Sequence, residues 1–231
     1  MNGILYGIGV GPGDPELMTL KAITAIEQCD VLALPQTGTG DILAYEIAKQ
    51  QVPGIEEMER LEISTPMTRD KEELARCHDA AAEAIIAELA QGKQVAFLTL
   101  GDPTIYSTYI YLHQRILAKG YQARIIPGVP SFCAVAARLN IGLAEQAQPL
   151  HIIPASYENS EQELDWPGIK VLMKTGKSLP KVKQALKEKG LYEQAKMVER
   201  CGLAGEKVYH SLDETEDAAS YFSIIVAKDE N

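Results

Sequence analysis

The sequence predicts an α/β protein of two domains, the first on a largely parallel sheet and the second on a mixed one. Three observations predict it. Short β-branched apolar runs alternate with stretches of helical periodicity. Gly- and Pro-rich turns follow several of those runs, where strands hand over to helices. The 231 residues, 46% hydrophobic and 23% charged, suffice for two compact cores of ordinary composition.

The elements follow in order. Ile4–Val10 reads as the first strand. Asp14 can cap a helix over Pro15–Gln28, with Pro15 pre-set for its first turn. A strand at Val31–Leu34 and a helix at Ile42–Gln50 come next. Leu74, Cys77, Ala81, Ile85 and Leu89 recur on one helical face, so an amphipathic helix is expected there. Gln94–Leu100 is a strand, Ile105–Lys119 a helix, and Ala123–Ile126 a strand. A small-residue helix is expected at Pro130–Leu139. Strands at His151–Pro154, Lys170–Lys174, Met197–Cys201 and Ser223–Ala227, with a helix at Pro180–Lys189, complete the pattern. Gly120 suits the C′ position of a helix end. A boundary there gives domains 1–118 and 119–231, with one continuous domain as the alternative.

Composition narrows the function. Lys plus Arg is 22 against 32 for Asp plus Glu, a net charge of -10, which disfavours nucleic acid and anionic membranes as partners. No apolar run approaches the roughly 18 residues of a spanning helix. The first residues run straight into a strand with no signal-peptide pattern, so a cytoplasmic location is expected. The four cysteines (Cys29, Cys77, Cys133, Cys201) and the histidines are scattered, so no metal site is expected.

Three loops carry whatever chemistry the chain has. Gly7-Ile8-Gly9-Val10-Gly11-Pro12-Gly13-Asp14-Pro15 is not a dinucleotide fingerprint, because Pro12 and Asp14 stand where the last glycine would be. It is either a tight strand-to-helix turn or a place of close backbone approach by a ligand or another segment. Leu100-Gly101-Asp102-Pro103 ends an expected parallel strand, where α/β sheets bind ligands. Asp102 either caps the next helix or helps hold a ligand. Ile126-Pro127-Gly128-Val129-Pro130-Ser131 turns into the small-residue helix, whose close packing or spare room the residues leave open.

Taken together, the three loops resemble the three signatures of the tetrapyrrole methylases, in order and in spacing, over essentially the whole chain. Ser64-Thr65-Pro66-Met67, Phe97 to Thr108 and Tyr221-Phe222-Ser223-Ile224-Ile225-Val226 further resemble the C20-methyltransferases of precorrin-2 or cobalt-factor II in cobalamin biosynthesis. The resemblance implies two α/β domains with a ligand cleft between them, a homodimer, and S-adenosylmethionine as cofactor. By position, that cofactor would meet Pro12, then Leu100, Gly101, Asp102, Ile105 and Tyr106. Ser131, Phe132, Met173, Tyr221 and Phe222 would follow. Pro130 stands where relatives often carry Thr or Ser, which leaves Ser131 as the hydroxyl there.

The implied substrate is a tetrapyrrole bearing carboxylates, so basic side chains should face it. Arg69, on a Met67–Lys71 lip, is the candidate substrate contact, with Arg76, Arg124, Arg138 and Lys174 as further possibilities. No residue is named as the base that takes the C20 proton. Two alternatives stand beside this reading. One is a methylase for another ring position or for diphthamide; the other is a non-catalytic tetrapyrrole-binding protein.

Overall fold

Runs of Val, Ile, Leu and Ala that are apolar on both faces form strands only where helices cover both sides of a sheet. The computed structural model, which describes residues 2–36, 43–64, 68, 70–155, 162–216 and 218–229, places them so. It divides into two compact units, Met1–Pro130 and Ser131–Asn231.

The first unit holds β1 (Ile4–Gly9), α1 (Leu20–Glu27), β2 (Val31–Gln36), α2 (Leu43–Ala48), β3 (Glu59–Ser64), α3 (Lys71–Ala90), β4 (Val95–Thr99), α4 (Tyr109–Ala118) and β5 (Gln122–Ile126). Its five strands are ordered β3-β2-β4-β1-β5 and every pairing is parallel. Leu5, Val31, Ala33, Val95 and Phe97 pack on α3 and α4 through Ala81, Ile85, Leu89, Leu112 and Ile116. Strand side chains alternate, so Ile8, Leu32, Ala96 and Leu98 serve the opposite face, and they are equally buried. There α1 packs on β1 and β5, and α2 on β4.

The second unit holds α5 (Ser131–Arg138), β6 (Leu150–Pro154), β7 (Ile169–Met173), α6 (Leu179–Glu188), β8 (Lys196–Glu199), β9 (Lys207–Tyr209) and β10 (Ser223–Ala227). The order is β6-β7-β10-β8-β9, with β6 and β7 parallel and the other pairs antiparallel, a mixed sheet. Ile153, Leu172, Met197 and Ile225 meet Val182, Ala185 and Leu186 of α6. On this sheet α5 packs against β8 and β10. Beyond β10, Asp229 accepts the Gly168 amide at 2.6 Å and pairs with Lys170, which is 1% exposed.

Four details differ from the sequence reading. Two strands, β3 and β9, were not expected. Each is a sheet edge, and β3 reads Glu-Arg-Leu-Glu-Ile-Ser with a mostly exposed burial pattern, so its apolar signal is thin. The expected Pro15–Gln28 helix is split. Asp14 Oδ1 accepts the Glu16 amide at 2.9 Å and caps only a 3-10 turn over Pro15–Leu17; α1 restarts behind Thr19, whose hydroxyl accepts the Ala22 amide at 3.1 Å. The helix expected from Ile105 begins at Tyr109, because Tyr106 takes a left-handed backbone, φ 48°. The Ala118–Tyr121 turn, read as a boundary, lies inside the first unit: Gly120, φ 82°, merely turns α4 into β5, which pairs with β1.

Candidate functional site

In an open parallel sheet the ligand crevice lies at the carboxyl ends of adjacent strands whose connections leave to opposite faces. In the first unit those strands are β1 and β4. The chain leaves β1 for α1 on one face and β4 for α4 on the other. All three Gly/Pro loops sit at this end, following β1, β4 and their neighbour β5.

There the loops interlock. Gly11 and Gly101 exchange backbone bonds: the Gly101 amide donates to the Gly11 carbonyl at 2.7 Å, and the Gly11 amide to the Gly101 carbonyl at 3.3 Å. The Val10 amide donates to the Thr99 carbonyl at 2.9 Å. The third loop closes on these two. A Cβ on Gly9 would stand 2.6 Å from the Gly101 carbonyl oxygen and 2.7 Å from the Gly128 nitrogen; one on Gly128 would stand 2.2 Å from that same oxygen. Only glycine permits main chain to pack on main chain this closely.

Asp102 does not cap α4, which begins at Tyr109. It is buried, at 7% exposure. Its Oδ1 accepts the Thr104 amide at 2.8 Å and the Thr104 hydroxyl at 2.5 Å, while Oδ2 accepts the Gly128 amide at 3.0 Å. The carboxylate therefore binds one loop to another and is not spent on a helix cap. Nearby, the Thr99 and Ser107 hydroxyls lie 3.3 Å apart, and Ser107 Oγ accepts the Tyr109 amide at 3.1 Å. Between these two pins Tyr106 holds its left-handed backbone with its side chain half exposed. Pro12 is buried, whereas Leu100 and Ile105 are partly exposed. Beneath the loops Tyr109 is fully buried, with its ring where a Gly7 Cβ would be. Its hydroxyl donates to the Arg124 carbonyl at 2.9 Å, and burial pushes its ionisation far above the ordinary phenol range.

The remaining candidates belong to the second unit. Ser131 and Phe132 open α5. Met173 ends β7, and Tyr221 and Phe222 precede β10, whose Ile224 pairs with Met173, so these share one end of the two central strands. Tyr221 and Phe222 meet edge to face at 5.4 Å, and the Lys174 ammonium stands 5.6 Å from the Tyr221 ring centre. A buried hydroxyl cluster supports this turn. Ser223 Oγ contacts Thr175 Oγ1, donates to the Ser220 carbonyl at 2.8 Å and accepts the Gly176 amide at 3.3 Å. The Arg200 amide donates to the Phe222 carbonyl at 3.0 Å. Lys174 and Arg200, at the ends of β7 and β8, both have positive φ, 60° and 54°.

Sequence reasoning did not find the Asp102–Gly128 bond, the Thr99–Ser107 pair or the Ser223 cluster. The only available signal was hydroxyl residues at strand ends. The basic candidates are dispersed: Arg76 is exposed on α3, Arg124 exposed on β5, and Arg138 paired with Glu206 at 2.5 Å. Arg69, Met67 and the Thr65–Pro66 motif lie outside the described residues. Among the described residues no cluster of three or more His, Cys, Asp or Glu could hold a metal ion, and no helix is long and apolar enough to cross a membrane.

Comparison with known proteins places this geometry. The family model for the Tetrapyrrole (Corrin/Porphyrin) Methylases matches residues 4–215. The chain belongs to that family. The cobalt-precorrin-2 C(20)-methyltransferase of Salmonella typhimurium is 37% identical over 231 residues, covering 98% of this chain and 96% of the relative. The precorrin-2 C(20)-methyltransferase of a Sinorhizobium species is 32% identical, covering 97% of this chain and 94% of the relative. The fold is shared with a cobalt precorrin-4 methyltransferase, at a TM-score of 0.75, 20% identity and coverage of 97% and 94%. It is also shared with the uroporphyrin-III C-methyltransferase of Thermus thermophilus solved with S-adenyl homocysteine, at a TM-score of 0.70, 19% identity and coverage of 98% of each chain.

Proposed function

We propose that this member of the tetrapyrrole methylases transfers a methyl group from S-adenosylmethionine to C20 of precorrin-2 or its cobalt complex, a step of cobalamin biosynthesis. Near full-length likeness to two C(20)-methyltransferases supports the ring position. The observation that carries the reading is the interlock of all three signature loops at the carboxyl end of one parallel sheet. Those loops are far apart in the sequence, and they meet where α/β proteins bind ligands.

The residues present fit the donor. Its adenine is flat and its sulfur is cationic, and both suit aromatic faces. Tyr106, Tyr221 and Phe222 are among the few large apolar side chains left exposed, at 49%, 46% and 36%. In this reading the backbone at Leu100, Gly101 and Asp102, with Pro12, Ile105 and Tyr106, holds the donor. Ser131, Phe132, Met173, Tyr221 and Phe222 are the further donor contacts that the family resemblance implies.

When bound, S-adenosylmethionine supplies an electrophilic methyl whose departing thioether is neutral, so the chain need donate no proton to it. The work left to the protein is to align donor and ring carbon and to exclude water. Such positioning contributes on the order of 7–11 kcal/mol. Rigid main-chain contacts suit that task, because they do not reorganise when the substrates arrive. Arg69 is proposed to meet a substrate carboxylate, and the protein to act as a cytoplasmic homodimer, which sedimentation and cell fractionation check.

The test is incubation of the protein with methyl-labelled donor and, in parallel, precorrin-2 and its cobalt complex. One new methyl located at C20 is expected. Label at another ring carbon would instead support a methylase for that position, and tetrapyrrole binding without transfer would support a carrier.

A further inference from the structure

The Asp102 side chain has more to do than complete a turn. A serine would suffice to accept the Thr104 amide two residues on. What only a carboxylate supplies here is a second acceptor aimed the other way, at the Gly128 amide, 26 residues along the chain. Three donors converge on one buried anion, and charge-assisted bonds of this kind are stronger and shorter than neutral ones. The Gly128 amide lies in the glycine contact with Gly9 and the Gly101 carbonyl. Main-chain contact has no side chain to lock it, so something else must hold the third loop down.

We propose that the Asp102 carboxylate is a positioning residue for methyl-donor binding: it staples the turn after β5 onto the turn after β4 and so sets the backbone that receives the donor. The proposal rests on the methyltransferase reading above. It differs from a contact role, because the carboxylate itself is turned into the protein and acts through Gly128 and Gly101.

Three variants separate these roles. In Asp102→Asn, whichever way the amide is turned, an NH2 group faces a backbone N–H, either that of Thr104 or that of Gly128. In Asp102→Ser the local turn is kept and only the reach to Gly128 is lost, which preserves the test should the Asn variant fold poorly. Thr104→Val removes one hydroxyl bond and leaves both backbone bonds. The measurements are the Kd for S-adenosylhomocysteine by calorimetry and the KM for each substrate alongside kcat.

Asp102→Asn and Asp102→Ser should weaken donor binding by about tenfold or more, the usual scale for orphaning a buried hydrogen-bonding group. The tetrapyrrole KM should stay within about twofold, and Thr104→Val within about threefold of wild type throughout, as expected for loss of one bond among several. Donor binding unchanged in both Asp102 variants, or equal loss for both substrates, would overturn the staple. If the wild-type protein itself does not bind S-adenosylhomocysteine, the methyltransferase reading fails first and takes the staple with it. In wild type labelled with 15N-glycine, the Gly128 signal should move on adding S-adenosylhomocysteine; a Gly128 signal that stays put counts against the proposal even if no variant folds.

Discussion

Tyr106 occupies a backbone region that L-residues other than Asn, Asp and Gly rarely enter, at a cost of about 1–2 kcal/mol. Its ring is half exposed, open to a ligand. Strain kept at an exposed aromatic beside a ligand loop is what a binding role explains. Tyr106→Asn should therefore leave stability equal or higher, within about 1 kcal/mol, since Asn accepts left-handed geometry. The same change should weaken S-adenosylhomocysteine binding about threefold to tenfold, the scale of one lost aromatic stack. Melting temperature and calorimetric titration check the opposing signs. The sequence named Tyr106 through its motif, but neither its strain nor the partner of Asp102 was legible. Both depend on which strand lies beside which, and no local pattern carries that.

The loops act as one element because their glycines touch. Gly9→Ala would drive a Cβ into the Gly101 carbonyl and the Gly128 nitrogen, both main chain, so relief requires the loops to part. A loss of about 1–3 kcal/mol in urea unfolding is expected, together with loss of donor binding. Gly54→Ala is the control: it has a positive φ of 75° but open space around it, so it should cost stability through backbone strain alone and spare binding. Secondary structure was legible where burial was two-sided. β1, β4, β7 and β10 are apolar runs, and the long face of α3 announces itself by spacing. The edge strands β3 and β9 were not, since one exposed side dilutes the pattern with charge. Helix starts slipped where a single residue overrode periodicity, Thr19 for α1 and Tyr106 for α4.

At the scale of the whole molecule, family and fold were readable from three motifs in register, whereas the division of the chain was not. A glycine-ended helix looks the same at a domain boundary and within a βαβ unit; only the pairing of β5 with β1 tells them apart. The second unit carries its own fastening, the Lys170–Asp229 pair. Asp229→Ala would strand a buried ammonium and should cost about 2–3 kcal/mol, at the lower end for such pairs because Asp229 is 33% exposed. Lys170→Met, which removes the charge with the need for a partner, should cost less than about 1 kcal/mol in the same unfolding measurement. The glycine contact in the first unit has a different kind of consequence. Its keystone is built from atoms that every amino acid possesses, so beyond the Asp102 staple it is added bulk, more than any change of side-chain chemistry, that dislodges it. A frame so made keeps its grip on one ligand while side chains outside the contact are exchanged.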